Sequence, residues 1–306
     1  MVHSIGPVSE IVLDGAADPY GIAAAPDGSV WVTHDGGVAR IAGDGTQWHH
    51  RTPAGARPTA VAVAPDATAW FARTGDDRLG TVRPDGATAT VDLEPGSAPF
   101  GVCIGPDGAV WFTASAADRV GRRGPDGQVT VVALPAGSFP AYLTAGPDGA
   151  VWTACNGANA LARVSTDGEV RIVPLPTATA PVGIAGGDGA LWAACIGSGH
   201  IVRVDPAGQV TEFALPDPAC RPHALAADAE GCWFTEWAAN RVGHVAWDGH
   251  VEEFVLPPGP AEPHGVAVGS DATVWVAFES GRAAPLTPGR ASGREHGGAV
   301  VRLTPR

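Results

Sequence analysis

The chain has 306 residues, enough to bury a large core, and its 42 glycines and 28 prolines recur among Val, Ile, Leu and Trp, which predicts a β-rich protein with many tight turns. The formal net charge of −13, without any run of Lys or Arg, would repel nucleic-acid phosphates and anionic lipid surfaces. The five cysteines form no CxxC pair, which argues against a disulfide framework or a structural zinc site. Residues 1–20 lack a signal-peptide pattern, and no stretch is apolar enough to span a membrane. We therefore expect a soluble, cytoplasmic protein with free thiols that binds neither nucleic acid nor membranes.

The first predicted element is a strand at residues 8–13, Val-Ser-Glu-Ile-Val-Leu. Its pattern matches the outer strand Val-Thr-Glu-Phe-Ala-Leu at 210–215, although it precedes the first unit of the repeat described below. The last unit, in contrast, has only three predicted strands and ends at 300–303. Because an unpaired edge strand is a liability, we expect the N-terminal strand to complete the last unit and close the fold into a ring.

Seven tryptophans recur along the chain at intervals of 39, 41, 41, 40, 41 and 42 residues. They are Trp31, Trp70, Trp111, Trp152, Trp192, Trp233 and Trp275. Each follows a proline by 11 or 12 residues, with Asp-Gly or a similar turn between them. A period of about 40 residues with four short strands is typical of a β-propeller blade. The sequence therefore predicts an all-β, seven-bladed β-propeller of four antiparallel strands per blade, in which the tryptophans pack the blades together.

One segment interrupts the repeat. Residues 281–299, rich in Gly, Arg, Ala and Pro, fall between the second and third predicted strands of blade 7. We treat residues 1–306 as a single propeller domain with this insertion. A long insertion in a compact repeat is usually functional or flexible, and we expect this one to cover part of a pocket.

The start of the first strand and the end of the second strand of each blade should lie at the same end of the ring, because consecutive strands run antiparallel. The residues after the seven prolines are Tyr20, Thr59, Phe100, Ala141, Val182, His223 and His264; those before them are Asp18, Arg57, Ala98, Phe139, Ala180, Arg221 and Glu262. The residues near the strand ends are His34, Arg73, Ala114, Cys155, Cys195, Glu236 and Glu279. On this face, blades 3 to 5 are mainly apolar, whereas blades 6, 7 and 1 carry the ionisable groups. This asymmetry suits a pocket for a largely apolar ligand with one reactive polar group.

Glu262, His264 and Glu279 form the most informative group on this face. Two converging carboxylates would repel each other without a cation between them, and Mg²⁺ prefers oxygen ligands, although Mn²⁺ could replace it. We expect Glu262 and Glu279 to bind the metal, with His264 close enough to act as a base near neutral pH. Taken singly, a histidine beside a proline turn is more often a hydrogen-bonded turn residue, and Glu236 reads as an ordinary rim carboxylate.

The motifs resemble those of the streptogramin B lyase family over essentially the whole chain. They are Arg-Pro-His-Ala at 221–224, Trp-Phe-Thr-Glu-Trp-Ala-Ala-Asn-Arg-Val-Gly at 233–243, Glu-Pro-His-Gly at 262–265 and Trp-x-x-x-Glu ending at Glu279. The resemblance implies that Glu262 and Glu279 bind Mg²⁺, that His264 is the general base and that His223 contacts the substrate, with Tyr20 as a further pocket residue. This sequence differs from the family pattern at Ala114, Cys155 and Cys195, where the family has glutamates in several middle blades, and in having the insertion at 281–299.

The implied reaction is the opening of a cyclic depsipeptide antibiotic by elimination at its threonyl ester, which would confer antibiotic resistance. Two other interpretations stay open at this point. One is a metal-dependent lactone or ester hydrolase, which would add a water to the product. The other is a propeller that binds a peptide without catalysis, since propellers support many unrelated functions. Nothing in the sequence indicates oligomerisation, so a monomer is expected.

Overall fold

A computed structural model describes residues 2–4, 8–13, 17–256, 261–280 and 299–303. The first strands are β1 (Val2–Ser4), β2 (Val8–Val12), β3 (Ile22–Ala24), β4 (Val30–His34), β5 (Gly37–Ile41), β6 (Gln47–Arg51), β7 (Pro58–Val63), β8 (Ala69–Arg73), β9 (Arg78–Val82), β10 (Thr88–Asp92), β11 (Pro99–Ile104), β12 (Val110–Ala114), β13 (Arg119–Arg123) and β14 (Val129–Ala133). They continue with β15 (Pro140–Ala145), β16 (Val151–Cys155), β17 (Ala160–Val164), β18 (Val170–Pro174), β19 (Pro181–Gly187), β20 (Ala190–Cys195), β21 (His200–Val204), β22 (Val210–Ala214), β23 (Pro222–Ala227), β24 (Gly231–Glu236), β25 (Arg241–Ala246), β26 (Val251–Val255), β27 (Ala261–Val268), β28 (Val274–Ser280) and β29 (Ala299–Leu303). Within these ranges the helical structure is limited to one 3-10 turn at Ser115–Ala117.

The strands form seven sheets, which confirms the seven-bladed propeller. Blades 1 to 6 are β3–β6, β7–β10, β11–β14, β15–β18, β19–β22 and β23–β26, and blade 7 is β27–β29 with β2. Strand β2 pairs antiparallel with β29, with Val8 opposite Leu303 and Val12 opposite Ala299. The expected closure of the ring by the N-terminal strand is therefore confirmed. Strand β1 was not predicted: it pairs in parallel with β26 and gives blade 6 a fifth strand.

The core is divided among seven apolar clusters of the described residues, each lying between two neighbouring blades. Every tryptophan of the repeat belongs to one of these clusters or packs against it, and Trp192 is completely buried. The prediction that these side chains join the blades is thus confirmed. Large aromatic side chains supply much apolar area per residue, so one per blade stabilises each junction.

The turns predicted between the prolines and the tryptophans also fix the indole rings. The indole N–H of Trp111 donates a hydrogen bond of 3.0 Å to Asp107, and that of Trp233 donates one of 2.9 Å to Asp228. A buried indole N–H needs such an acceptor because an unpaired polar group is costly in the core. In blades 3, 4 and 6 the Asp of the turn therefore sets the position of the Trp that follows it, whereas the indole N–H of Trp192 in blade 5 has no such partner among the described residues.

The insertion expected at 281–299 lies outside the described residues, except that Ala299 begins β29. Its predicted place between the second and third strands of blade 7 agrees with the described strands on either side of it, β28 and β29. No helix of the described ranges is long and apolar enough to cross a membrane.

Candidate active site

The three ring side chains predicted for the site come from the starts of three inner strands. His264 lies in β27 and His223 in β23, while Tyr20 precedes β3. In each case the residue before the proline has a positive φ: 52° for Asp18, 54° for Arg221 and 60° for Glu262. In blades 6 and 7 the pairing register also shifts just after the proline. Such an irregularity re-aims side chains, and here it directs each ring towards the axis of the propeller.

The three rings meet at the centre of one face. The ring centroids of Tyr20 and His264 are 3.7 Å apart, and those of His264 and His223 are 3.8 Å apart. His264 therefore lies between a phenol and a second imidazole, and both histidines are about 95% buried, being 5% and 6% exposed. The structure thus brings together the residues predicted as base and as substrate contacts.

The packing of adjacent blades holds His264 in this position. A Cβ atom added to Gly265 would lie 2.6 Å from the carbonyl oxygen of Tyr20, so the glycine allows blade 7 to approach blade 1 closely. From the other side, the hydroxyl of Thr235 in blade 6 donates a 2.8 Å hydrogen bond to the carbonyl of His264. The same hydroxyl accepts a hydrogen bond from the backbone N–H of Ala224. His264 is therefore fixed by neighbours in two different blades.

Burial keeps both imidazoles neutral. Desolvation lowers the pKa of His223 to about 4, although a hydrogen bond to the backbone of His264 acts in the opposite direction. Desolvation also lowers the pKa of His264 well below its usual value, and the neighbouring His223 lowers it further. Both rings are consequently unprotonated at neutral pH and able to accept a proton.

Aromatic side chains surround the two histidines. Phe100 lies edge-on to Tyr20 at 5.9 Å, and Tyr142 lies edge-on to Phe100 at 5.2 Å and to His223 at 6.0 Å. Phe100 was part of the predicted apolar side of the face, whereas Tyr142 was missed. It stands two residues after Pro140, a position at which the other six blades have Gly or Ala. That exception in the repeat was the signal that could have identified Tyr142.

Two cavities adjoin this aromatic group. The inner strands line an axial cavity of about 140 Å³, whose wall includes Tyr142, Ile184 and Val266. A second pocket of about 210 Å³ opens beside Tyr20 and is lined by Asp18, Tyr20, Asp35, Arg57, Pro58, Thr59, Thr74 and Phe100. The axial cavity has mainly apolar walls, whereas polar and charged side chains line most of the second pocket. Small-molecule sites combine the two kinds of lining.

The carboxylates next to the histidines form an acidic patch. The pKa of Asp18 is raised, mainly by partial burial and then by the negative charges of Asp35 and Glu262. Asp35 was not predicted, although it follows Trp31 by four residues, as Glu279 follows Trp275. Mutual repulsion of this kind fits the donor chemistry of a divalent cation, for which oxygen ligands are preferred.

Glu279, the second predicted metal ligand, lies in β28, but its side chain lies outside the part of the chain that the structure describes. The backbone register pairs Phe278 with Pro263, as Glu236 pairs with Pro222 in blade 6. Among the side chains that are described, no three His, Cys, Asp or Glu residues converge as a metal site would require. The assignment of Glu262 and Glu279 as ligands stays a prediction.

The strand-end residues were expected on this face, and for those whose side chains are described the structure shows burial instead. Glu236, Cys155 and Cys195 have no exposed surface, and His34 is 5% exposed. The expectation that Glu236 is a rim carboxylate is wrong, because its side chain points into blade 6, where it bonds with Arg241. The open face is formed instead mainly by the residues before the prolines, of which Asp18, Arg57, Phe139 and Arg221 are exposed.

A closed seven-bladed ring with a buried pair of neutral histidines, aromatic neighbours and an acidic patch on one face defines a propeller with a small-molecule site. The sequence profile of the virginiamycin B lyase family matches residues 7–286. The chain belongs to this family.

Solved structures agree with this membership. A streptogramin B lyase structure shares 32% identity with the chain at a TM-score of 0.87, covering 97% of this chain and 98% of that one. A catalytically inactive histidine-to-alanine variant of virginiamycin B lyase from Staphylococcus aureus, solved with quinupristin, has 31% identity and the same TM-score over 97% of this chain and 99% of its own. The virginiamycin B lyase of Mycolicibacterium vanbaalenii is 52% identical over 63 residues, a match that spans 20% of this chain and 22% of that protein.

Proposed function

We propose that this protein is a lyase that linearises streptogramin B-type cyclic depsipeptides by β-elimination at the threonyl ester. The observation that carries the proposal is the position of His264, a buried neutral imidazole held between Tyr20 and His223 in a member of this family. The quinupristin complex of the related Staphylococcus aureus lyase supports the substrate class. Activity of this kind would inactivate the antibiotic and give resistance.

The reaction assigned to His264 is removal of the α-proton of the threonyl residue. An unprotonated ring nitrogen accepts this proton, and the electron pair forms the Cα–Cβ double bond while the Cβ–O bond breaks. The bonding electrons leave with the ester oxygen, which becomes part of a free carboxylate. No water enters, so the opened product has the mass of the substrate. General-base catalysis of this kind contributes about 10²–10⁴-fold to a rate.

His223 and Tyr20 are assigned to substrate binding. Both rings contact His264. Tyr20 lines the pocket beside it together with Phe100, and His223 lies edge-on to Tyr142, which lines the axial cavity. A substrate seated there would displace water from the histidine pair. Exclusion of water favours proton transfer between substrate and base over hydrolysis of the ester.

We also propose a Mg²⁺ dependence, with Glu262 and Glu279 as the protein ligands. The repulsion among Asp18, Asp35 and Glu262 supports a cation at this end of blades 7 and 1. When bound, Mg²⁺ would supply positive charge that stabilises the negative charge developing on the substrate as the α-proton leaves. Of the two proposed ligands, Glu262 precedes His264 by two residues, which favours a cation close to the base.

The protein is further proposed to act as a cytoplasmic monomer. All five cysteines are free and buried, as expected for a compartment in which thiols stay reduced. Gel filtration with light scattering would test the monomer, since a dimer would double the measured mass.

The test of the proposed function is mass spectrometry of a streptogramin B antibiotic incubated with the purified protein and Mg²⁺. We expect a ring-opened product of unchanged mass, absent with EDTA and reduced by about 10²–10⁴-fold in His264→Ala. Val182→Ala, at the same position of blade 5, is the matched control and should keep most of the activity. A product heavier by one water would indicate a hydrolase. Binding without any product, by a correctly folded protein, would indicate a peptide-binding propeller.

A further inference from the structure

Blade 6 contains two buried carboxyl groups that the reaction does not use. Glu236 ends β24 and is 0% exposed, and Glu253 lies in β26 and is 3% exposed. Between them runs β25, where the residue opposite Glu253 is Gly243, and the ring of Phe234 packs over that glycine. Carboxylates are almost never buried to this extent without compensating partners.

The positive charge available to this pair is a single guanidinium. Arg241 Nε lies 2.6 Å from Glu236 Oε2, and its Nη2 lies 3.3 Å from Asp217 and 3.7 Å from Glu253. From the loop between β22 and β23, the groups facing the pair are Asp217, whose side chain is 46% exposed, and Cys220, a thiol whose pKa burial raises to about 12. Among the described residues, two buried carboxylates thus share one partly buried cation, whose side chain is 18% exposed.

One oxygen of each carboxyl group has no hydrogen-bond partner among the described residues, although Glu253 Oε1 lies 3.7 Å from Arg241 Nη2. These atoms are Glu236 Oε1 and Glu253 Oε1, both shielded from solvent. Both side chains lie against the guanidinium of Arg241, and a hydrogen bond between the two carboxyl groups is one cause that raises the pKa of Glu236. Two acceptors cannot bond to each other without a hydrogen, so a single proton between them would satisfy both at once. With that proton, the two carboxyl groups and Arg241 are electrically neutral together.

We propose that Glu236 and Glu253 share one proton, and that this proton positions the loop that leads to His223. The loop is attached to the residues around Glu236 by its backbone. Pro222 pairs with Glu236, Trp237 N–H donates to the carbonyl of Arg221, and Ala238 N–H donates to the carbonyl of Cys220. Arg241 adds a side-chain link from Glu236 to Asp217 at the start of the loop. Glu236 is therefore a positioning residue that acts through this loop.

The direction of the pH effect follows from the charge balance. Burial is the main cause that raises the pKa of Glu236 to about 7, and Glu253 raises it further while Arg241 lowers it. The folded protein binds the shared proton more tightly than the unfolded chain, so stability is greatest below the usual glutamate pKa and decreases as the pH rises towards about 7. For one linked proton, the unfolding equilibrium constant increases about tenfold per pH unit in this window.

Blade 5 offers a matched control. Glu212 occupies the place of Glu253, since it lies opposite Val202 as Glu253 lies opposite Gly243. Partial burial acts to raise the pKa of Glu212, but hydrogen bonds from the Thr177 hydroxyl and from the backbone N–H groups of Ala178 and Thr177 outweigh it, so the pKa is lowered. Glu212 is therefore ionised and shares no proton.

The first experiment is infrared spectroscopy of the whole protein, as the carbonyl stretch of a protonated carboxyl group is distinct from that of a carboxylate. At about pH 6 we expect this band in the natural protein and in Glu212→Gln, and its loss in Glu253→Gln and in Glu236→Gln. A spectrum without the band, or a band that persists in both Glu236 and Glu253 variants, would overturn the proposal.

The second experiment measures unfolding by denaturant between about pH 5 and pH 8, together with the NMR signal of the His223 ring. Gln at 253 can donate to Glu236 Oε1 at every pH, so Glu253→Gln should lack the contribution of the shared proton and the matching shift of the His223 signal. The ratio of the unfolding constants of the natural protein and Glu253→Gln should rise about tenfold per pH unit, because the buried histidines, whose contribution changes with pH in the opposite direction, are present in both proteins. Glu212→Gln should keep both the contribution and the shift. An unchanged pH dependence of unfolding in Glu253→Gln would contradict the shared proton. A His223 signal that shifts with pH in the same way in Glu253→Gln and in the natural protein would contradict the positioning role. Neither readout requires streptogramin turnover, so failure of the proposed reaction would be recognised separately.

Discussion

Blades 5 and 6 have the same strand order, and in both the proline that begins the inner strand pairs with the residue three positions after the tryptophan. These pairs are Pro181 with Cys195 and Pro222 with Glu236. The residue after the proline is Val182 in blade 5 and His223 in blade 6. Blade 5 is thus apolar at both positions, while blade 6 carries an imidazole at one and a carboxyl group at the other.

In both blades the residues that pack the propeller are different from the residues that carry ionisable groups. Trp192 and Trp233 are buried between blades in the same way, and they fix the backbone whichever side chains follow. The positions beside the proline and at the strand end are then free to differ. In blade 6 the strand-end carboxyl group is tolerated because Arg241 lies opposite it.

The largest effect is expected when blade 5 receives a buried carboxyl group without the arginine that accompanies it in blade 6. Cys195→Glu would bury a charge in blade 5, where the residue opposite is His200. We expect a loss of about 3–5 kcal/mol in the free energy of unfolding, measured with denaturant at neutral pH. Cys195→Glu with His200→Arg should recover part of that loss, because it recreates the Glu236–Arg241 pair. Equal stability of the single and double variants would show that the arginine is not what makes blade 6 possible.

A somewhat smaller effect on the free energy of unfolding is expected when His223 is replaced by valine, the residue at the same position of blade 5. In the folded protein its pKa is depressed to about 4, so its contribution to stability is complete above the usual histidine pKa and is lost as the pH falls towards about 4. Over that pH window, the free energy of unfolding measured with denaturant should therefore fall by about 3 kcal/mol less in His223→Val than in the natural protein. The exposed His250 serves as a control, and His250→Gln should leave the pH profile unaltered.

The smallest effect concerns the spacing between the two blades. A Cβ atom on Gly183 would lie 2.3 Å from the carbonyl oxygen of His223, whereas blade 6 has Ala224 at the same position. We expect Gly183→Ala to cost about 1–3 kcal/mol, because blade 5 must move away from His223. Gly43→Ala adds its Cβ in open space, so its free energy of unfolding, measured with denaturant as for Gly183→Ala, should be nearly unchanged. Similar losses in the two variants would mean that close approach of the blades is unimportant.

Much of the fold was predictable because the same pattern of strands and turns recurs in seven successive segments of the sequence. The spacing of the tryptophans gave the number of blades, and the unmatched strand at residues 8–13 gave the closure. Strand β1 was not predictable, since Val2–Ser4 lies outside the repeat and pairs with a strand about 250 residues away. Chain ends with no periodic counterpart carry no signal for a partner this distant.

The candidate site was predicted less completely. His264, His223 and Tyr20 were found because they occupy one position of the repeat, and the structure brings their rings together. Thr235 was missed because its hydroxyl acts across a blade boundary on the carbonyl of His264. A contact of this kind depends on the distance between blades, which periodicity does not reveal.

The sequence by itself determined the seven blades, the residues at each repeat position and the face on which the ring side chains lie. It did so because the alternation of strands and turns converts position along the chain into position in a blade. Tertiary structure decided which of those side chains are exposed: Glu236 is fully buried, although the pattern placed it with the rim residues. The physical reason is that burial and charge pairing depend on the neighbouring strand and the neighbouring blade, and those distances are fixed only when the ring has closed.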